Sequence, residues 1–212
     1  MNEKVQENQA RINMYGFLSR LLIEEVDVQL LDTIKSSPDL LDFFPTCKEW
    51  REFFSKDSKS LVEEELNVDY TTVFLLNVYP YESVFMNDEG YINPSLTNPA
   101  LQFYLEHGYE IDLNKTRVLS PDHIAVEMEF MITLIQEQLN AYSMFNKEEE
   151  RRYILTQKEF LENHLLKWSP IYLLSAKDTS ETPFYKDVCQ TTLEFLLSDY
   201  EYIDTQLQSL TV

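Results

Sequence analysis

An all-α fold, one globular multi-helix domain over residues 1–212, is what the sequence predicts. Three observations predict it. Apolar residues recur three and four apart through most of the chain. Helix-opening residues such as Asn98-Pro99 are followed at the right distance by a helix-ending glycine, Gly108. At 44% apolar residues the composition is that of a chain with a packed core.

The elements follow in order. Ile12, Tyr15, Leu18 and Leu22 share a face and predict a helix over about 4–24. A second runs over about 27–36, stopped by Ser36-Ser37-Pro38. The stretch "CKEWREFF" at 47–54 reads as one helix, and Asn67 reads as the cap of another that ends near Leu76. A helix opens at Asn98-Pro99 and closes at Gly108. Ser120-Pro121 opens the longest, to about Phe145. Asn146 with Glu149 resembles a capping box and predicts a helix over about 147–164. The last helix covers about 183–204. Long connections are expected at about 77–97 and 109–120, and long ordered loops are often functional. The acidic triplets Glu63–Glu65 and Glu148–Glu150 are expected on solvated faces.

Charge narrows the function. With 37 acids against 17 bases the formal net charge is −20. No nucleic-acid partner is expected, because phosphate binding needs a basic stripe, whereas a basic peptide or protein patch would be drawn in. No secretory leader is visible in "MNEKVQENQARINMYGFL", and no run reaches the ~18 apolar residues of a membrane span, so stable membrane insertion is not expected and the cytoplasm is the expected compartment. Cys47 and Cys189 read as buried small residues rather than a disulfide or zinc pair. Three scattered glycines exclude a phosphate-cradling loop, and no cofactor is expected.

The stretch "SPDHIAVEMEFM", residues 120–131, places His123 four residues before Glu127. Stepping ~100° per residue, Ile124, Met128, Met131, Ile135, Leu139 and Tyr142 form an apolar stripe. Asp122 and Glu129 fall toward water, while Glu127 lies inside the stripe with His123 at its edge. A buried carboxylate requires a partner. Three readings stay open for Glu127: a structural clamp accepting bonds from His123 or loop backbone, a contact for a partner's cation, or a metal ligand or base. The last is the weakest, because a catalytic zinc site usually has three protein ligands. The segment "VYPYESVF", residues 78–85, is turned extended by Pro80. Its tyrosines and Glu82 suit recognition of a basic peptide, or else Tyr79, Tyr81 and Phe85 anchor the loop to the core.

Four segments in order, "YPYESVF" at 79–85, "PDHIAVEMEFM" at 121–131, "EFLENHLLKW" at 159–168 and "FYKDVCQTTLEFLLSD" at 184–199, resemble the TorD/DmsD family of cytoplasmic chaperones for molybdenum-containing oxidoreductases. The likeness covers roughly residues 67–200. It departs from the family at Ser120, where many relatives carry an acid, and at Asn163 and Lys167. The resemblance implies a non-enzymatic, all-helical protein that binds the twin-arginine signal peptide or the apo-form of a molybdoenzyme. Such a protein holds back export until the cofactor is inserted, as a monomer or a domain-swapped dimer. It implies a peptide-binding region at Val73 and Phe74, then Pro80, Tyr81, Glu82 and Ser83, then Pro121, Asp122, His123 and Glu127. The competing expectation is a structural adaptor that binds a folded redox-enzyme subunit without reading a leader.

Overall fold

A computed structural model describes residues 3–111 and 118–209. Helices dominate, and the described residues contain no strand beyond a single antiparallel bridge between Tyr81 and His123. In order they are α1 (Glu3–Ile23), α2 (Val28–Ser36), α3 (Pro38–Leu41), α4 (Pro45–Glu49), α5 (Arg51–Ser55), α6 (Ser58–Leu61) and α7 (Asn67–Tyr70). There follow α8 (Glu82–Met86), α9 (Pro99–Glu106), α10 (Ile124–Ser143), α11 (Lys147–Phe160), α12 (Leu166–Thr179) and α13 (Pro183–Ser209). The fold is all-α, as expected. The chain forms two compact units: the first holds residues 1–23, 81–169 and 195–212, the second 24–80 and 170–194.

Several boundaries differ from the sequence reading, each for a local reason. Asn67 is the first residue of α7 but caps nothing, because the chain before it is already helical. The cap of this run is Asp57, its carboxylate accepting from the amides of Lys59 and Ser60 at 3.2 and 2.9 Å. From there the backbone stays helical to Asn77, widening to π-type turns over Val62–Leu66 and Thr71–Asn77. The "CKEWREFF" helix is broken at Trp50, whose extended backbone (φ −83°, ψ 107°) separates α4 from α5. The helix capped by Asn146 runs through a third π turn, Leu161–Leu165, straight into α12, which the sequence reading left unassigned. At 27 residues α13 is the longest described helix, ahead of α1 with 21 and of α10, expected to be the longest, with 20. Gly108 ends α9 with a left-handed φ of 73°, the conformation that favours glycine. The loop expected over 109–120 lies partly outside the described residues. Glu150 is not solvated: it is buried and ion-paired with Lys4.

The first unit is built on α10, against which α1 and α11 pack. Its centre is an aromatic stack in which the Phe130 ring lies 4.7 Å from Tyr104 and 4.8 Å from Phe160. Beside it runs a buried polar chain. Arg11 grips Asp199 with Nε and Nη2 at 2.5 and 3.0 Å, and Tyr15 donates to the same carboxylate at 2.7 Å. Arg11 also reaches Gln157 at 2.8 Å, and Gln157 reaches Gln138 at 2.9 Å. The second unit centres on Phe44, Phe53 and Phe184, with Phe44 stacked on Phe184 at 5.1 Å. Its carboxylates cap helices across long sequence distances. Asp69 accepts from the Glu181 and Thr182 amides before α13. Asp187 accepts from the Thr46 and Cys47 amides at the start of α4. Negative charge at a helix N-terminus satisfies orphan donors and the helix dipole together. Cys47 and Cys189 are buried and unpaired, as expected.

The Arg11–Asp199 pair yields a prediction. Asp199→Ala leaves a buried guanidinium uncompensated and should cost about 3–5 kcal/mol in urea unfolding. The double variant Arg11→Met/Asp199→Leu should recover most of that loss, because no charge is left stranded. A single variant as stable as wild type would show the pair to be dispensable.

Candidate functional site

The aromatic loop and the start of α10 come together in the first unit. Asp122 organises them. It precedes α10 rather than lying on it, so helical stepping does not apply, and instead of facing water it is 1% exposed. One carboxylate oxygen accepts the Ser83 amide at 2.7 Å, and the other is bonded by the Ser120 hydroxyl. The Asp122 carbonyl accepts the Glu82 amide at 3.0 Å. Two consecutive loop amides are thus held by one residue. The Ser83 hydroxyl accepts the Asn93 amide at 2.9 Å, and the Tyr81 hydroxyl accepts the Leu119 amide at 3.1 Å. The network ties 81–83, 93 and 119–122 into one body.

His123 is the N-cap of α10. Its Nδ1 accepts the Ala125 amide at 3.1 Å, which fixes the neutral ring with its proton on Nε2. Its ring stands edge-on to Tyr81 at 5.0 Å. Burial holds its pKa down at about 3, in keeping with a nitrogen that must accept.

Glu127 is fully buried, as its place in the apolar stripe predicts. Its donor is neither His123 nor loop backbone but the Trp168 indole, which reaches its two oxygens at 3.1 and 3.3 Å. Burial raises its pKa well above the ordinary carboxylate range, and the negative charge of Glu82 pushes the same way, against the indole bond. Glu82, also buried, is bonded by His164 Nδ1 at 3.0 Å. His164 sits on the π turn Leu161–Leu165, flanked by Phe160 and Phe103.

The structure therefore brings Tyr81, Glu82, Ser83, Pro121, Asp122, His123 and Glu127 together. All seven are buried, and the three carboxylates are satisfied by the protein's own donors. Val73, Phe74 and Pro80 belong to the second unit and are buried there; Phe74 lies 5.4 Å from Tyr185. Of the rings in the aromatic segment, Tyr79 is exposed, and Phe85 lies 5.6 Å from Trp168. His164 and Trp168 are the residues that sequence reasoning missed. Both lie in "EFLENHLLKW", a segment singled out by its familiarity, but no spacing connects 164 to 82 or 168 to 127.

The site is an all-helical scaffold in which the carboxylates of Glu82, Asp122 and Glu127 are bonded to the protein's own donors. Residues 41–172 match the family model described as the nitrate reductase delta subunit, and the chain belongs to that family, which takes in the TorD proteins. Among its relatives is the Chaperone protein TorD of Vibrio parahaemolyticus, 24% identical over 96% of this chain and 99% of the relative. The Chaperone protein TorD of Photobacterium profundum is 27% identical over 94% of this chain and all of the relative. No solved structure matches. Both relatives carry the name of a chaperone rather than of an enzyme.

His123 and Glu127 shift in opposite directions, and their pH signatures oppose each other. Between about pH 3 and the unfolded value near 6.5, the unfolded chain holds the extra proton of His123. Its contribution to stability is therefore lost as pH falls through that window. Glu127 is raised, so its contribution is present below about pH 4.3 and is lost as pH rises toward its folded value. Over pH 4.5–6.5 each slope is at most about 1.4 kcal/mol per unit. His123→Asn, which keeps an accepting cap, should lose stability with rising pH more steeply than wild type. Glu127→Gln should gain it. Urea midpoints at three pH values read both, and parallel lines for all three proteins would refute the assignment.

Proposed function

We propose that this chain is a cytoplasmic chaperone that binds the twin-arginine signal peptide of a molybdenum-containing oxidoreductase, its apo-form, or both. It assists cofactor insertion and delays export until the client is folded. The observation that carries this reading is the end-to-end likeness to TorD chaperones. The acidic chain supports it, because a leader is a basic stretch joined to an apolar one and a formal charge of −20 attracts it. No helix among the described residues is long and apolar enough to cross a membrane.

The ten residues named from the sequence are the candidates for client recognition. Seven of them frame the loop of the first unit, so substitutions there act on loop position as well as on contact. A second reading, an adaptor that binds the enzyme body without reading a leader, is favoured by one observation. The carboxylates of Glu82, Asp122 and Glu127 are already bonded internally.

Calorimetry with the client's apo-enzyme, with and without its leader, separates the two. The leader reading predicts binding that weakens about tenfold or more between low salt and 0.5 M salt, and again when the leader is deleted. Unchanged affinity after leader deletion selects the adaptor. Absence of binding to either form at low salt defeats both.

A further inference from the structure

Two long helices of the first unit, α10 and α11, are joined by only three residues, Met144, Phe145 and Asn146. The turn closes α10 in the Schellman arrangement. The Phe145 amide donates to the Tyr142 carbonyl and the Asn146 amide to the Ala141 carbonyl, both at 3.0 Å. The same pair of bonds ends α9, where Gly108 donates to Leu105 and Tyr109 to Tyr104 at 3.1 and 2.9 Å. In both turns the first donor needs a left-handed backbone. At α9 that residue is glycine. At α10 it is Phe145, with φ 57°, the one non-glycine with a positive φ among the described residues. A Cβ is unfavourable in this conformation, and a bulky side chain is uncommon there.

The ring is not buried in return. Phe145 is 93% exposed, more than any other large apolar side chain among the described residues, and Met144 beside it is 77% exposed. A strained backbone under an uncovered ring points to a use outside the fold. The charge at this turn also differs from that of the chain. Against a net charge of −20, residues 140–155 hold three bases and three acids. Two of the acids are engaged: Arg152 reaches Glu149 at 2.6 Å, and Glu150 pairs with Lys4. Lys147 and Arg151, one helical turn apart and both exposed, have no hydrogen bond or ion pair among the described residues. Beside them are two half-buried tyrosines, each under a cation: Lys4 lies 5.1 Å from the Tyr142 ring and Arg152 4.3 Å from the Tyr153 ring.

We infer that the α10–α11 turn is a docking tip for an anionic lipid surface, with Met144 and Phe145 dipping into the headgroup layer and Lys147 and Arg151 meeting its phosphates. A protein partner would need a pocket shaped to the ring, whereas a lipid surface needs none. Two adjacent apolar side chains with tyrosines and cations beside them match the change from apolar to charged across a membrane interface. The acids elsewhere on the chain oppose the approach only weakly, because screening limits their reach to about 8 Å at physiological salt. The contact is reversible adsorption of a turn, since stable anchoring takes more than one such signal. The inference goes beyond the proposed function and does not rest on it.

Flotation of the full chain with vesicles of mixed phosphatidylglycerol and phosphatidylcholine tests it. Wild type should float with them at low salt, less at about 0.5 M salt, and not with phosphatidylcholine alone. Phe145→Gly should weaken vesicle binding about tenfold or more. Its thermal midpoint should equal or exceed that of wild type, because glycine takes the left-handed backbone freely. Lys147→Gln/Arg151→Gln should also weaken binding about tenfold or more. Wild type that stays with the unbound protein, or floats equally with neutral vesicles, overturns the inference. So does equal flotation of wild type and Phe145→Gly. A midpoint for Phe145→Gly below that of wild type would show that the ring serves the fold, and self-association of wild type abolished by Phe145→Gly would assign the tip to a second copy. Either result overturns it as well.

Discussion

One buried carboxylate, that of Asp122, sets the geometry of the first unit's loop face. A charge removed from water is tolerated only with donors on its lone pairs. Here they are the Ser83 amide and the Ser120 hydroxyl. Because an amide has a fixed direction, satisfying Asp122 also fixes the course of the chain at 82–83, and with it α8. The same residue's carbonyl adds the Glu82 amide, and the next residue, His123, caps α10. A single position therefore joins the start of the central helix to the loop that lies about forty residues earlier.

The consequence reaches outward in layers. Once Ser83 is fixed, its hydroxyl can hold Asn93, and Asn93 in turn accepts from Asn98, the N-cap of α9. Glu82 is turned inward to His164, and Glu127, one turn into α10, meets Trp168. Three acids converge in a space where all three cannot be charged without cost, and the fold answers by pushing Glu127 toward its neutral form. A neutral histidine used as a cap and a carboxyl bonded to an indole are suited to holding a shape. Neither is presented to a reactant.

The sequence made the helices legible where their ends carry local signals. Asn98-Pro99 with Gly108 and Asn146 with Glu149 are chemistry confined to a few neighbouring residues, and both helices begin where those residues say. The misreadings share a cause: the deciding partner is distant or conformational. Asn67 looks like a cap, but the chain is already helical from Asp57. Trp50 breaks a pattern that is helical in composition. Asp122 reads as solvent-facing only when helical stepping is carried back to Pro121, three residues before the helix begins at Ile124. For the site, familiarity of four segments gave the right family, while the pairings 82–164 and 127–168 are properties of the packed fold.

This separation bears on the proposed binding of a basic client. A carboxylate that builds the frame cannot also be offered freely, since releasing it strands the donor it served. Reading a cation at Asp122 would expose the Ser83 amide and loosen the loop, and reading one at Glu82 would strand His164. Exposed carboxylates carry no such penalty. The strongest pairs are thus spent on rigidity, and rigidity lowers the entropic cost of ordering a flexible peptide against the surface. On the proposed function, affinity for a mobile, positively charged segment falls to residues that contribute little to the stability of the fold.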